Sequence, residues 1–142
     1  YARFLFEKSV FEHIEEGFLN AKQLCELMKE ALNKSFGDGL DKNWIHPYRW
    51  ITKVHYYIPD IAYYNFPYTF GALFSRGLYA KFKKEGTSFI PKYEKLLAAT
   101  TTNTCENVAS MADINIEEES FWQESLQSIA EQIQDFLKEL SA

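Results

Sequence analysis

The chain has 142 residues, of which 46% are hydrophobic and 17% aromatic, and its formal net charge is −5. This composition excludes an intrinsically disordered polymer, because disordered chains have few aromatic residues and low hydrophobicity. The acidic balance argues against nucleic acid as a partner, since affinity for nucleic acid rests largely on clustered Lys and Arg. We therefore expect a packed globular chain of one domain.

Features of targeting and redox chemistry indicate a cytoplasmic protein. The least charged stretch, residues 63–79, is interrupted by a proline and an arginine, so neither a signal peptide nor a membrane span is predicted. Cys25 and Cys105 lie far apart without CxxC spacing, which predicts neither a zinc ribbon nor a disulfide framework. The chain begins at Tyr1 inside a predicted helix, which suggests a fragment of a longer protein.

Apolar residues at helical spacing predict two helices in the first quarter of the chain. The first covers residues 1–16 and is followed by Gly17. The second covers residues 21–36, and Asn20 with Gln23 has the spacing of a capping box at its start.

A connector and a long helix are predicted next. Residues 41–59 mix aromatics, prolines and β-branched residues without a helical period, which predicts an ordered connector with a single helical turn around residues 45–50. Asp60 is a possible N-cap, and a helix is predicted to run from residue 61 to residue 84. Gly86, two residues later, is the residue expected to end it.

The last third of the chain also has helical patterns. We predict a helix over residues 88–99, a short helix capped by Thr104 and reaching residue 111, and a final helix from Glu119 with a broad apolar stripe. No segment predicts a strand. The expected fold is all-α, with about five to seven helices in a single segment covering residues 1–142.

Metal chemistry needs ligands that this segment lacks. A zincin helix places two His at i and i+4 with a Glu between them, as in HExxH. No such motif is present, and His46 and His55 lie nine residues apart. The sequence also has no GxSxG motif and no phosphate-binding glycine loop. We predict no metal site within these residues.

Histidine and aromatic residues are concentrated between positions 44 and 68. One interpretation is that they are core and rim aromatics whose hydroxyl groups find local partners. The other is that they include neutral donors to a developing oxyanion, with Tyr64 and Tyr68 at i and i+4 on one helix face. Composition alone leaves both interpretations open.

Several short strings occur in the order found in oligoendopeptidase F-like proteins, which the chain resembles over essentially its whole length. The strings that carry the resemblance are Arg3-Phe4-Leu5-Phe6-Glu7-Lys8, Phe36-Gly37-Asp38-Gly39-Leu40, His46-Pro47-Tyr48, His55-Tyr56-Tyr57, Tyr64-Asn65-Phe66-Pro67-Tyr68-Thr69-Phe70-Gly71, Phe74-Ser75, Gly77-Leu78-Tyr79-Ala80, Tyr93 followed by Leu96-Leu97, and Phe121-Trp122. Each string is short, and their common order makes chance a poor explanation.

The resemblance implies an all-α zinc peptidase whose HExxH helix and third ligand precede the residues present here. His55 matches the loop histidine that faces the zinc across the cleft in related thimet-type oligopeptidases, and Tyr68 matches the tyrosine that donates to the oxyanion. Tyr57, Tyr63 and Tyr64 are implied as substrate-binding residues. The resemblance leaves open which of these four tyrosines contacts the substrate.

The expected function is that of a C-terminal segment of a zinc-dependent oligoendopeptidase that hydrolyses short peptides. Its partners are then peptide substrates and the N-terminal remainder of the same protein, and the isolated segment is expected to be inactive and to bind no zinc stoichiometrically. The alternative is a non-catalytic helical module that binds peptides or proteins through its aromatic surface. A third possibility is a purely structural helical scaffold.

Overall fold

The computed structural model describes residues 1–141 and contains six α-helices joined by turns. No β-strand occurs in that range, so the predicted all-α class is confirmed. The chain forms two compact units, Tyr1–Thr69 and Phe70–Ala142. That both belong to one segment of a larger catalytic domain stays a prediction. Within residues 1–141, none of the helices combines the length and apolar character that crossing a membrane requires.

Two helices open the first unit. α1 (Ala2–Ile14) is slightly shorter than predicted, and α2 (Ala21–Phe36) has the predicted bounds. The capping box at the start of α2 is present, because the Gln23 N–H donates to Asn20 Oδ1 at 3.1 Å and the Asn20 N–H donates to Gln23 Oε1 at 2.9 Å. Both bonds satisfy backbone donors that the first helical turn leaves free.

The core of the first unit lies between α1 and α2. Its buried members are two alanines, two leucines, one methionine and one phenylalanine: Ala2, Phe6, Leu27, Met28, Ala31 and Leu32. Trp50 and Tyr56 of the connector also pack against this core. The connector that carries the candidate site is therefore attached to α1 and α2 by apolar contacts.

The connector is organised by short 3-10 turns. They cover Lys42–Trp44 and Val54–Tyr57, so the single helical turn predicted around residues 45–50 is wrong in position. Residues 47–52 form turns without a helix.

The third helix starts later than predicted. α3 spans Phe66–Glu85, because Asp60 and Tyr63 have positive φ angles of 63° and 57°. A left-handed residue cannot continue a right-handed α-helix, so the predicted start at residue 61 and the predicted N-cap at Asp60 are wrong. Pro67 lies in the first turn of α3, where its missing N–H is tolerated.

Three further helices complete the second unit. Gly86, at φ 66°, follows α3 and opens a 3-10 turn over Gly86–Phe89. α4 (Ile90–Ala99), α5 (Cys105–Ser110) and α6 (Glu119–Leu140) follow. The predicted cap of α5 is confirmed, since Thr104 Oγ1 accepts from the Asn107 N–H at 3.4 Å.

The second unit has its own core and a polar network beside it. The buried core side chains are Phe89, Leu96, Ala99, Val108, Ala109, Ala112 and Ile114. Lys92 Nζ lies 2.9 Å from Glu85 Oε2 and 2.7 Å from Asp113 Oδ2, so one ammonium group joins α4 to the end of α3 and to the α5–α6 connection. Asp113 is left-handed, with φ at 55°.

Candidate functional site

Glu7 of α1 anchors the chain just before α3. The residue is only 6% exposed, and its Oε1 accepts a hydrogen bond of 2.6 Å from the backbone N–H of Tyr63. Charge-assisted bonds of this kind are among the stronger hydrogen bonds in proteins. The left-handed backbone of Tyr63 is thus held by an acceptor 56 residues away in sequence.

Aromatic contacts reinforce this attachment to α1. The ring of Tyr63 lies 5.6 Å from that of Phe4 and 5.4 Å from that of Phe11, measured between ring centroids. Both separations are in the range where tilted aromatic pairs attract each other. Tyr63 is therefore a structural contact between the connector and α1.

Tyr56 is a second structural contact with the same helix. Its ring centroid lies 5.2 Å from that of Phe6, and its hydroxyl donates to the Arg3 carbonyl oxygen at 3.3 Å. Burial, and to a smaller extent the neighbouring Glu7 carboxylate, raises the pKa of Tyr56 to about 12. The hydroxyl stays protonated at physiological pH and serves as a donor to the backbone.

His55, Tyr64 and Tyr68 come together at the end of the connector. Tyr64 stacks on His55 with a centroid separation of 5.2 Å, and Tyr68 meets the imidazole edge-on at 6.0 Å. Tyr64 and Tyr68 are 6.2 Å apart in an edge-to-face arrangement. We call these three residues the His–Tyr cluster. Although Tyr64 precedes α3 instead of belonging to it, it still lies beside Tyr68.

One pair of polar atoms in the His–Tyr cluster lies close together. Tyr68 Oη lies 3.5 Å from His55 Nε2. His55 Nδ1 is buried and has no hydrogen-bond partner among the described residues. Because an unpaired buried N–H is rarer than an unpaired acceptor, this environment favours the tautomer with its proton on Nε2. Tyr64 and Tyr68 are 41% and 58% exposed, so the cluster is open to a ligand.

The other two predicted site residues do not join the cluster. The Tyr57 hydroxyl donates to the Trp50 carbonyl oxygen at 3.2 Å, and the Tyr63 ring packs on α1 as described above. Within residues 1–141, neither ring stacks on His55. The structure thus brings together three of the five residues singled out from the sequence.

Two residues near the site were not singled out from the sequence. One is Glu7, which lies three residues after Phe4 and four before Phe11, and therefore on the apolar face of α1. A carboxylate on an apolar helix face is unusual, so this position could have indicated a buried polar contact. Asn65 is the other, since it is buried and neither polar atom of its side chain has a partner among the described residues. The residues around Asn65 in the sequence form no pattern that would have indicated its burial.

Metal ligands do not converge in the described part of the chain. No group of three or more His, Cys, Asp or Glu side chains among residues 1–141 could hold a metal ion. Comparison of the chain with models of protein families, with curated proteins and with solved structures gives no match.

Proposed function

We propose that this chain is the substrate-facing C-terminal segment of a zinc-dependent oligoendopeptidase, and that His55 and Tyr68 donate hydrogen bonds to the oxyanion formed from a scissile peptide carbonyl. The observation that supports this best is the 3.5 Å separation of His55 Nε2 and Tyr68 Oη. Two donors at that separation can both reach a single oxygen atom at about 2.8 Å, which is the geometry of an oxyanion hole.

The proposed roles follow from the chemistry of the three side chains. A neutral imidazole with its proton on Nε2 and a tyrosine hydroxyl are both donors that carry no charge of their own. Stacking of Tyr64 on the imidazole limits rotation of the His55 ring and keeps Nε2 directed toward Tyr68. By the resemblance, zinc and the residues that bind it belong to a part of the protein outside this segment.

The central test is Tyr68→Phe in a protein that includes the upstream HExxH sequence. Loss of one oxyanion donor should lower kcat and kcat/KM alike by roughly 10²–10³, with little change in stability. Tyr79→Phe is the matched control, because it removes a tyrosine hydroxyl group outside the His–Tyr cluster, from a ring that stacks on Phe82. Normal kcat in the Tyr68→Phe enzyme would remove this residue from the mechanism.

His55 and Tyr64 should respond differently from Tyr68. His55→Ala removes a donor and a group that positions the substrate, so kcat/KM should fall as far or further and KM should rise. Tyr64→Phe keeps the stacked ring and should have a milder effect. If the three residues are only structural, their variants should lower the melting temperature and leave kcat nearly intact.

A non-catalytic peptide-binding module is the second candidate, and the exposed aromatic rings favour it. Trp44 is 85% exposed and Tyr57 and Tyr68 are each more than half exposed, as in surfaces that bind extended peptides. Such a module needs no HExxH. Reading the parent gene upstream of Tyr1 separates the two candidates, since a missing HExxH would leave only the binding module or an inactive relative of the peptidases.

A further inference from the structure

A cleft beside α1 in the first unit contains a buried carboxylate. Its volume is about 420 Å³, which is within the usual range of pockets that bind small molecules. One wall comes from α1, with Phe6, Glu7 and Phe11, and the other comes from the segment between α2 and α3, with Tyr56 and Ile61. All of the lining residues belong to the first unit. We call this space the Glu7 cleft.

The carboxylate of Glu7 is only half paired. Its Oε1 accepts the 2.6 Å hydrogen bond from the Tyr63 N–H, whereas Oε2 is buried and accepts no hydrogen bond from any of residues 1–141. Arg3, one helical turn earlier on α1, donates to neither oxygen. Buried carboxylates are ordinarily paired, because an unpaired charge is costly to remove from water. Since Glu7 is only 6% exposed, its free oxygen indicates a position for a positively charged group.

The charged residues of the Glu7 cleft are all acidic. Besides Glu7, the lining contains Asp60, and it contains no Lys, Arg or His. Asp60 is exposed, so one carboxylate lies deep and the other lies close to solvent. Two negative groups without a positive one between them attract cations and repel anions. The cleft therefore favours a cationic ligand.

The number of available oxygen atoms distinguishes between kinds of cation. A metal ion needs several protein ligands, and no group of three or more His, Cys, Asp or Glu side chains within residues 1–141 could hold one. A guanidinium group pairs best with both oxygens of a carboxylate, but Glu7 Oε1 is already bonded to the Tyr63 N–H. A primary ammonium group is a compact donor that can bond to a single oxygen. It is the cation that matches the free Oε2.

The walls of the Glu7 cleft match an apolar group attached to that ammonium. Apart from the two acidic residues, most of the lining is aliphatic or aromatic: Phe6, Val10, Phe11, Tyr56, Ile58 and Ile61. Aliphatic and aromatic walls gain free energy when they cover a hydrocarbon group. Aromatic rings also attract a nearby cation through their faces.

We propose that the Glu7 cleft binds a primary ammonium group carried on an apolar group, with the ammonium at Glu7 Oε2 and the apolar part against the aromatic walls. Because Oε2 is buried, the carboxylate must turn slightly about its last torsion to meet the ligand, and that torsion has a broad energy minimum. The ammonium can belong to a free amine or to the N-terminus of a peptide. This binding does not require peptidase activity, because no member of the His–Tyr cluster lines the cleft.

An NMR titration of the isotope-labelled 142-residue chain with phenethylammonium tests the proposal. The amide signals of Tyr56, Ile61 and Ala62 should shift, with a dissociation constant on the order of 1 mM or lower. Phenethyl alcohol has the same ring without the charge and should bind at least about tenfold more weakly. Shifts that are absent up to about 20 mM or confined to other parts of the chain, or equal affinity for the alcohol, would overturn the proposal.

Three variants locate the binding site. Glu7→Gln keeps an acceptor for the Tyr63 N–H and removes the charge, so phenethylammonium should bind at least about tenfold more weakly. Glu12→Gln removes the same charge from an exposed carboxylate of α1 that pairs with Lys8, and it should bind like the wild type. Ala62→Trp adds a large side chain at an exposed lining position and should weaken binding with Glu7 intact, which tests the site even if Glu7→Gln does not fold. Unchanged affinity in a folded Glu7→Gln chain or in Ala62→Trp would refute the site.

Peptides distinguish the two sources of the ammonium group. A tripeptide amide that begins with phenylalanine is titrated with its N-terminus free and with its N-terminus acetylated. Binding that is lost on acetylation and weakened by Glu7→Gln would identify a peptide N-terminus as a ligand. Binding of phenethylammonium without binding of either peptide would identify a free amine. Equal binding of both peptides in the Glu7 cleft would overturn the proposal, because no ammonium group would then be needed.

Discussion

Close packing of α3 against α6 at Gly77 leads to a sharp prediction about stability. A Cβ atom built on Gly77 would overlap the ring of Phe121 and come within 2.7 Å of Ser125 Oγ. Ser125 is fully buried, and Phe121 packs against the core of the second unit. Neither side chain can move away without disturbing its neighbours, so Gly77→Ala should overpack this contact.

The magnitude follows from two opposing terms. Overpacking of a tight contact costs about 1–3 kcal/mol, and the upper end applies here because the added methyl group meets two side chains. Replacing a helical glycine with alanine contributes about 1 kcal/mol in the other direction. We therefore expect Gly77→Ala to lower the free energy of unfolding by about 2 kcal/mol.

Gly71 in the same helix is the matched control. No atom lies within 4 Å of a Cβ built there, so Gly71→Ala should gain most of the helix-propensity term, about 0.5–1 kcal/mol. Urea unfolding followed by Trp122 fluorescence would report on the second unit, with Trp44 and Trp50 replaced by Phe. If Gly77→Ala is stabilised as much as Gly71→Ala, the close approach of α3 and α6 is refuted.

Two further predictions concern ion pairs and capping. The hydrogen bonds from Lys92 hold the pKa values of Glu85 and Asp113 below their ordinary range. At pH values above the pKa values of the unfolded chain, these carboxylates therefore stabilise the fold. That stabilisation is lost as the pH falls through the lower pKa values of the folded chain. Below about pH 4.5 the melting temperature should therefore fall more steeply with pH in the wild type than in Lys92→Met, and equal slopes would contradict this. Asn20→Ala removes the side-chain acceptor of the α2 capping box and should cost about 1 kcal/mol in urea unfolding, while Asn20→Asp, which keeps an acceptor, should cost little. Equal losses in the two Asn20 variants would argue against the cap.

Local signals in the sequence determined most of the helix bounds. The start of α2 depends on Asn20 and Gln23, the start of α5 on Thr104, and the end of α3 on Gly86. Each of these signals acts on backbone groups within about one helical turn. Because all the interacting groups lie close together along the chain, the sequence alone was enough to predict them.

The candidate site was predictable only in part. His55, Tyr64 and Tyr68 were identified from the resemblance and from their residue types, and the structure brings them together. Tyr57 and Tyr63 belong to the same aromatic-rich stretch, yet their contacts are with Trp50 and α1. Residue type did not distinguish these cases, because a tyrosine ring packs equally well against a core or beside a ligand.

Tertiary structure alone decided where α3 begins and where α6 is left uncovered. The Asp60–Asn65 segment has a helix-compatible sequence, but the buried Glu7 carboxylate binds the Tyr63 N–H and the chain there is left-handed. The apolar stripe of α6 was visible in the sequence, but nothing in its periodicity showed that residues 130–140 would stay exposed. In both cases the outcome depends on groups that are distant in sequence, and only the folded chain determines whether they meet.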